Sequence, residues 1–228
     1  REGAFGIVPR DSFCASSARM CLFACDYSQN EVRILAHMSN DQNLIKMFRE
    51  ESVDIYKQMS SFISGKAVEE VTDKERSKSK QMTLAVLYGM GIQQVAKKLG
   101  VDYSTAQQFQ NQFFQRFRGV KRWIDETKKS ARENGYVTTI VGRRRYLDEI
   151  HSNDKGKKAQ AERQAVNTII QGSAADLMKL AMLKMASRIM DWNKEGVNTG
   201  GTGVAPKLVL QIHDELLFEV VRNKDDVT

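Results

Sequence analysis

From about residue 41 to residue 134 the chain contains no proline. Its apolar residues recur there at helical spacing, interrupted only near Gly65, Gly89, Gly91, Gly100 and Gly119. Proline inside a helix removes a hydrogen bond and clashes with the preceding turn, so this stretch reads as a block of helices. Apolar runs that read as strands lie on both sides of it. Residues 20–26, Met-Cys-Leu-Phe-Ala-Cys-Asp, predict a buried strand ending in an acid. Residues 208–212 and 216–221, joined by His213-Asp214-Glu215, predict a β-hairpin with acids at its turn. Strands bracketing a helical insertion give an α+β fold. Ser28-x-x-Glu31 has the capping-box form of a helix start, ahead of Val32, Leu35 and Ala36. Residues 136–147 alternate around Gly142 as a short hairpin. A long helix is expected over 158–192, and its run Gly172-Ser173-Ala174-Ala175 would let another element approach closely. Residues 195–206 are Gly-rich and read as a loop.

At 228 residues the chain is one large domain or two small ones. Hydrophobic residues at 41% and charged residues at 28% describe an ordinary globule, which excludes disorder, collagen and coiled coil. No apolar run approaches the ~20 residues of a membrane helix, so no membrane partner is expected. Thirty-five Lys and Arg against 28 Asp and Glu leave +7, a balance that suits a polyanion such as nucleic acid, although many basic proteins bind none. Cys14, Cys21 and Cys25 show no Cys-x-x-Cys, which argues against zinc and a disulfide framework and for a reducing compartment. No Gly-x-x-x-x-Gly-Lys-Ser/Thr is present, so a P-loop is excluded. The chain begins with Arg1 and is read as part of a longer protein.

Three constellations carry chemistry. If the strands ending at Asp26 and Asp214 are sheet neighbours, two carboxylates meet at one edge. Such hard oxygen ligands with open positions suit Mg²⁺, and two such ions can clamp the oxygens of a phosphoryl transfer. Taken singly, each acid also reads as a helix-capping or turn residue. Arg76, Lys80, Leu84 and Tyr88-Gly89 follow at steps of four, in one helical stripe that could hold a triphosphate below and a base or sugar above. A solvated basic face ending in a core aromatic fits the same spacing. Arg163, Asn167 and Gln171 form another such face, and with Gln211 and His213 they could donate to minor-groove acceptors without reading sequence. A plain polar helix surface is the alternative. Arg143-Arg144-Arg145 reads equally as a solvated face or a phosphate contact.

Together these residues resemble a known family. Asp26-Tyr27-Ser28-Gln29-Asn30-Glu31-Val32-Arg33-Ile34-Leu35-Ala36-His37 resembles motif A of the family A DNA polymerases. Arg76, Lys80 and Tyr88-Gly89 resemble motif B, and Gln211-Ile212-His213-Asp214-Glu215 resembles motif C. Ala161-Glu162-Arg163-Gln164-Ala165-Val166-Asn167 and Gln171-Gly172-Ser173-Ala174-Ala175-Asp176 match in order and spacing. The likeness implies a palm over 1–40 and 141–228, an antiparallel sheet with packed helices, and an all-α fingers subdomain over 41–140. It also implies that the thumb and the extreme C-terminal palm are not on this chain. The implied activity is template-directed addition of dNTPs to a primer 3′-OH, with primer–template DNA, dNTPs and further domains of the same protein as partners.

By position, the resemblance implies that Asp26 and Asp214 ligate two Mg²⁺ ions with the Tyr27 carbonyl, Glu215 beside them. Arg76 and Lys80 would hold the triphosphate, Lys80 also protonating the departing pyrophosphate. Glu31 would be the steric gate against a ribose 2′-OH, with Tyr88 its neighbour and Gln29 lining the nucleotide pocket. Arg163, Asn167, Gln171, Gln211 and His213 would follow the primer–template minor groove. Residues 142–147 and 161–167 and the Gly-rich loop look most like the eukaryotic theta and nu polymerases, which implies nuclear DNA repair. Three positions depart from the family pattern. Leu84 stands where the family has an aromatic on the incoming nucleotide, and Tyr56 where the bacterial enzyme has a phosphate-contacting histidine. Asn30 replaces an apolar residue in the first helical turn, at a small expected cost. A single-subunit RNA polymerase is disfavoured by Glu31, since a 2′-OH gate has no use there. A catalytically weak or dead DNA-binding scaffold draws support only from Leu84.

Overall fold

The computed structural model describes residues 12–49, 54–195 and 204–222, and it is mixed helix and antiparallel sheet. In chain order the elements are β1 (Met20–Asp26), α1 (Asn30–Ser39), α2 (Gln42–Arg49), α3 (Ile55–Ser64), α4 (Asp73–Leu87), α5 (Ile92–Leu99), α6 (Tyr103–Arg116) and α7 (Arg118–Asn134). They continue with β2 (Tyr136–Thr138), β3 (Arg144–Tyr146), α8 (Lys155–Glu195), β4 (Lys207–Ile212) and β5 (Glu215–Val221). Among the described residues no helix is long and apolar enough to cross a membrane. Most of the Gly-rich stretch, 196–203, lies outside the described residues.

The chain divides into two units. One comprises Arg1–Asn30 and Leu177–Thr228. Its sheet has the order β1-β5-β4, all antiparallel, with β5 in the centre. Leu216 and Phe218 of β5 are buried with Met178 of α8, and Met182, Ile189, Leu208 and Val220 pack around them. The apolar run at 20–26 does form a strand, but not a buried one. β1 is the sheet's edge, half-buried over its first three residues and exposed over the rest, with Phe23 53% exposed. The core is built on the central strand, and an apolar sequence does not say which strand that will be.

The second unit, Glu31–Asp176, is mostly helical, with one short hairpin. Its core gathers Leu35, Leu44, Ile55, Met59, Val86, Leu87 and Phe113 from α1, α2, α3, α4 and α6. Asp41, 4% exposed, ties part of this block together. One carboxylate oxygen accepts the Asn43 and Leu44 N–H groups at the start of α2, and the other accepts the Gly119 N–H at 2.7 Å. A side chain at Gly119 would collide with Asp41, its Cβ only 3.0 Å from the Asp41 Cα.

The short hairpin expected over 136–147 is β2 paired with β3. It docks on the small-residue run of α8. The Ile140 N–H donates to Ser173 Oγ, and a Cβ at Gly172 would lie 2.8 Å from Thr139 Cγ2. The start of α1 differs from the capping-box expectation. Gln29 has φ 56°, a left-handed turn residue that cannot be the first residue of a helix capped by Ser28, so the helix opens at Asn30.

Candidate functional site

Strand register and a tight turn bring the acids together. In the β1–β5 ladder Asp26 pairs with Glu215, and the Tyr27 N–H donates to the Asp214 carbonyl at 3.2 Å. Asp26 and Asp214 therefore stand at the same end of one sheet. The turn between β4 and β5 is closed by His213 at φ 55°, whose carbonyl accepts the Gln211 side-chain amide at 2.9 Å. Asp26 and Asp214 are both exposed, and neither carboxylate makes an ion pair or a hydrogen bond among the described residues. No three His, Cys, Asp or Glu side chains among the described residues are grouped to enclose a metal. The donor set is thus two free hard carboxylates, too few to complete a shell alone. That suits Mg²⁺, which keeps waters and takes substrate oxygens.

The cationic stripe is built on α4. Its start is a true capping box, in which Thr72 Oγ1 accepts the Glu75 N–H and the Glu75 carboxylate accepts the Thr72 N–H at 2.9 Å. Ser79, Met82, Thr83 and Val86 are buried, leaving Arg76, Lys80, Leu84 and Tyr88 along another face. The Arg76 guanidinium lies 5.9 Å from the Tyr56 ring centre and the Lys80 ammonium 5.8 Å from it. Both cations therefore rest on one aromatic platform. Tyr56 is 3% exposed. Burial, with the charges of Glu31 and Asp54 behind it, pushes its phenol up to about 12. At the end of the stripe the Tyr88 hydroxyl donates to the Glu31 carboxylate, which projects from the first turn of α1. Leu84 is half-buried and packs against the core.

Sequence reasoning passed over Asp54. Its Oδ2 accepts a hydrogen bond from Arg76 Nη2 at 2.8 Å, while its Oδ1 caps α3. Burial works to raise this carboxyl's pKa, but the bonds from Arg76 and from the Lys57 and Tyr56 N–H groups outweigh it and hold the group below its ordinary value. An Asp ahead of Ile55-Tyr56 was a readable N-cap signal; its pairing with Arg76 was not. Asn30 is 6% exposed, and its Nδ2 has no hydrogen-bond partner among the described residues.

On α8, Arg163, Asn167 and Gln171 share a face as expected from their spacing. Arg163 lays its stem against Gly89, where φ is 62° and an added Cβ would sit 3.0 Å from Arg163 Cγ. Asn167 Oδ1 is buried with no hydrogen-bond partner among the described residues, and Gln171 is exposed. Gln211 and His213 belong to the other unit. The basic run at 143–145 is used internally. Arg143 bonds Asp176 at 2.9 Å and the Gly172 carbonyl at 3.1 Å, Arg145 bonds Thr168, and Arg144 lies over the Tyr136 ring.

A family model for DNA polymerase family A matches residues 2–227. The chain belongs to DNA polymerase family A. It is 40% identical to the thermostable DNA polymerase I of Thermus thermophilus over 92% of its own length and 24% of that protein's. DNA polymerase I of Caldicellulosiruptor bescii is 38% identical over 90% of this chain and 23% of its own. DNA polymerase theta of Drosophila melanogaster is 39% identical over 94% of this chain and 10% of its own. The solved POL domain of Pol1 from M. smegmatis, in complex with DNA primer-template and dNTP, superposes with a TM-score of 0.81 at 35% identity. That match covers 92% of this chain and 35% of the solved one. This family A chain therefore spans about a quarter or less of the curated relatives named here. Its overall identity to theta equals that to the bacterial enzymes within a few per cent.

Proposed function

We propose that the protein carrying this chain is a template-directed DNA polymerase that adds deoxynucleotides to a primer 3′-OH. The observation that carries the reading is the pair of exposed carboxylates, Asp26 and Asp214, unengaged among the described residues and at one end of the sheet. The ligands of its mycobacterial structural neighbour, primer-template DNA and dNTP, support it. In this reading residues 1–40 and 141–228 are palm and 41–140 are fingers. Asp26 and Asp214 hold two Mg²⁺ ions, with the Tyr27 carbonyl as a further ligand and Glu215 beside them. Magnesium bound there would stabilise charge on the attacking and leaving oxygens.

The chain's own residues do the rest by positioning and electrostatics. Arg76 and Lys80 bind the triphosphate, and Lys80, exposed and with no acidic partner among the described residues, gives its proton to the departing pyrophosphate. Tyr88 holds Glu31 where its carboxylate crowds a ribose 2′-OH, and Gln29 and Tyr56 line the nucleotide pocket. Leu84 replaces aromatic stacking with aliphatic contact. Arg163, Asn167, Gln171, Gln211 and His213 contact the minor groove. A theta- or nu-like role in nuclear DNA repair is part of the same proposal, supported by residues 142–147 and 161–167. The test is primer extension by the full-length protein and by Asp214→Ala, with dNTPs and then rNTPs. Extension that vanishes in the variant and rejects rNTPs supports the reading. Primer–template binding without any extension by the wild type would sink it in favour of a scaffold.

A further inference from the structure

One carboxylate joins two helices at the triphosphate subsite. Asp54 Oδ1 accepts the N–H groups of Tyr56 at 2.9 Å and Lys57 at 3.0 Å, closing the start of α3, and Oδ2 accepts Arg76 Nη2 from α4 at 2.8 Å. We propose that Asp54 is a positioning residue for nucleotide binding, fixing the Arg76 guanidinium to the first turn of α3, over the Tyr56 ring and beside Lys80. This rests on the reading of Arg76 and Lys80 as triphosphate ligands.

Asp41 supplies the contrast. It also caps a helix with one oxygen and reaches a remote partner with the other, but that partner is the backbone N–H of Gly119, and the whole group is buried. That is an architectural tie. Asp54 reaches a charged side chain that remains 35% exposed and able to meet a ligand. A guanidinium carries five N–H donors, and among the described residues only Nη2 of Arg76 is bonded. The anchor thus orients the fork and leaves the other donors for phosphate oxygens. It also has an electrostatic drawback, because a carboxylate beside the subsite repels a polyphosphate. Orientation and charge therefore predict opposite signs when the charge is removed.

Asp54→Asn separates them, since Asn caps a helix as well as Asp does and α3 should stay closed. Binding of dNTP is measured on the full-length protein with a dideoxy-terminated primer–template, and steady-state kinetics follow on an extendable one. The expected result is a dNTP Kd raised about tenfold, the loss appropriate to one charge-assisted hydrogen bond, with KM rising and kcat following far less. Asp54→Ser, which also caps but cannot reach Arg76, should match it, with no greater loss of stability than Arg76→Ala shows. In an Arg76→Ala background, Asp54→Asn should add nothing. A Kd that is unchanged or lower, or an equal rise in that background, overturns the proposal. If Arg76→Ala alone leaves dNTP binding intact, the triphosphate reading itself has failed and this inference falls with it.

Discussion

At the end of the β1-β5-β4 sheet, Asp26 and Asp214 stand exposed, with no partner for either carboxylate among the described residues. On α4, by contrast, Arg76 is bonded to Asp54, and both Arg76 and Lys80 rest on the Tyr56 ring. The two acids are placed by backbone alone, through strand register and a two-residue turn, because a short side chain hardly strays from its Cα. The cations sit on long, flexible stems and are placed by other side chains. The difference follows from what each group would bind. A carboxylate already paired to Lys or Arg has fewer lone pairs for a hard cation, whereas an unanchored guanidinium loses rotamer freedom each time it grips an anion.

The largest expected effect lies at the bare end. Asp26→Ala or Asp214→Ala should abolish primer extension, by about a thousandfold or more, yet leave the melting temperature of the full-length protein unchanged or slightly raised, since neither carboxylate makes a hydrogen bond or ion pair among the described residues. A clear drop in melting temperature would show that these acids are structural. The braced end should behave otherwise. Arg76→Ala should weaken dNTP binding by about tenfold or more and also cost about 1 kcal/mol of stability in urea unfolding, the partial exposure of both partners limiting the loss. If Arg76→Ala lost affinity with no cost in stability, the contrast between the two regions would disappear. Next in size is Leu84→Phe. A ring that stacks on the incoming base should tighten dNTP binding by about 1–3 kcal/mol, and an unchanged Kd would mean that Leu84 serves only the core.

Much of both regions is legible in the amino-acid sequence. The acids at strand ends, the four-residue steps of Arg76, Lys80, Leu84 and Tyr88, and the hairpin around Gly142 all lie in local pattern, which is where periodicity and turn chemistry operate. What is not legible depends on partners distant in the chain. β1 reads as buried because its residues are apolar, but only the sheet order makes it an edge strand. Asp54 is recognisable as a cap, but the bond to Arg76 arises from how α3 packs on α4. The helix signalled by Ser28-x-x-Glu31 opens only at Asn30 because Gln29 turns left-handed, and the reach of Tyr88 to Glu31 is a contact distant in the chain. The arginines at 143–145 read equally as a solvated face or a phosphate contact, and they stay exposed while they bond α8 and lie over Tyr136.

The smallest effect tests the bracing by acid. Asp54 is held below the ordinary carboxylate value, its bonds to Arg76 and to backbone N–H groups outweighing burial. Glu75, bonded first by Lys66 and then by Thr72, is pulled down to about 2. A group whose folded pKa is depressed stabilises the fold above its unfolded value, near ~3.9 for Asp and ~4.3 for Glu, and loses that contribution as pH falls through the folded value. Urea unfolding should therefore show stability falling from about pH 5 downward, and the fall should be shallower in Asp54→Asn and Glu75→Gln. Equal slopes in all three proteins would mean that neither carboxylate braces the cationic face at neutral pH. A shallower slope only in the Asp54 and Glu75 variants would locate the acid sensitivity in the α3–α4 bracing itself.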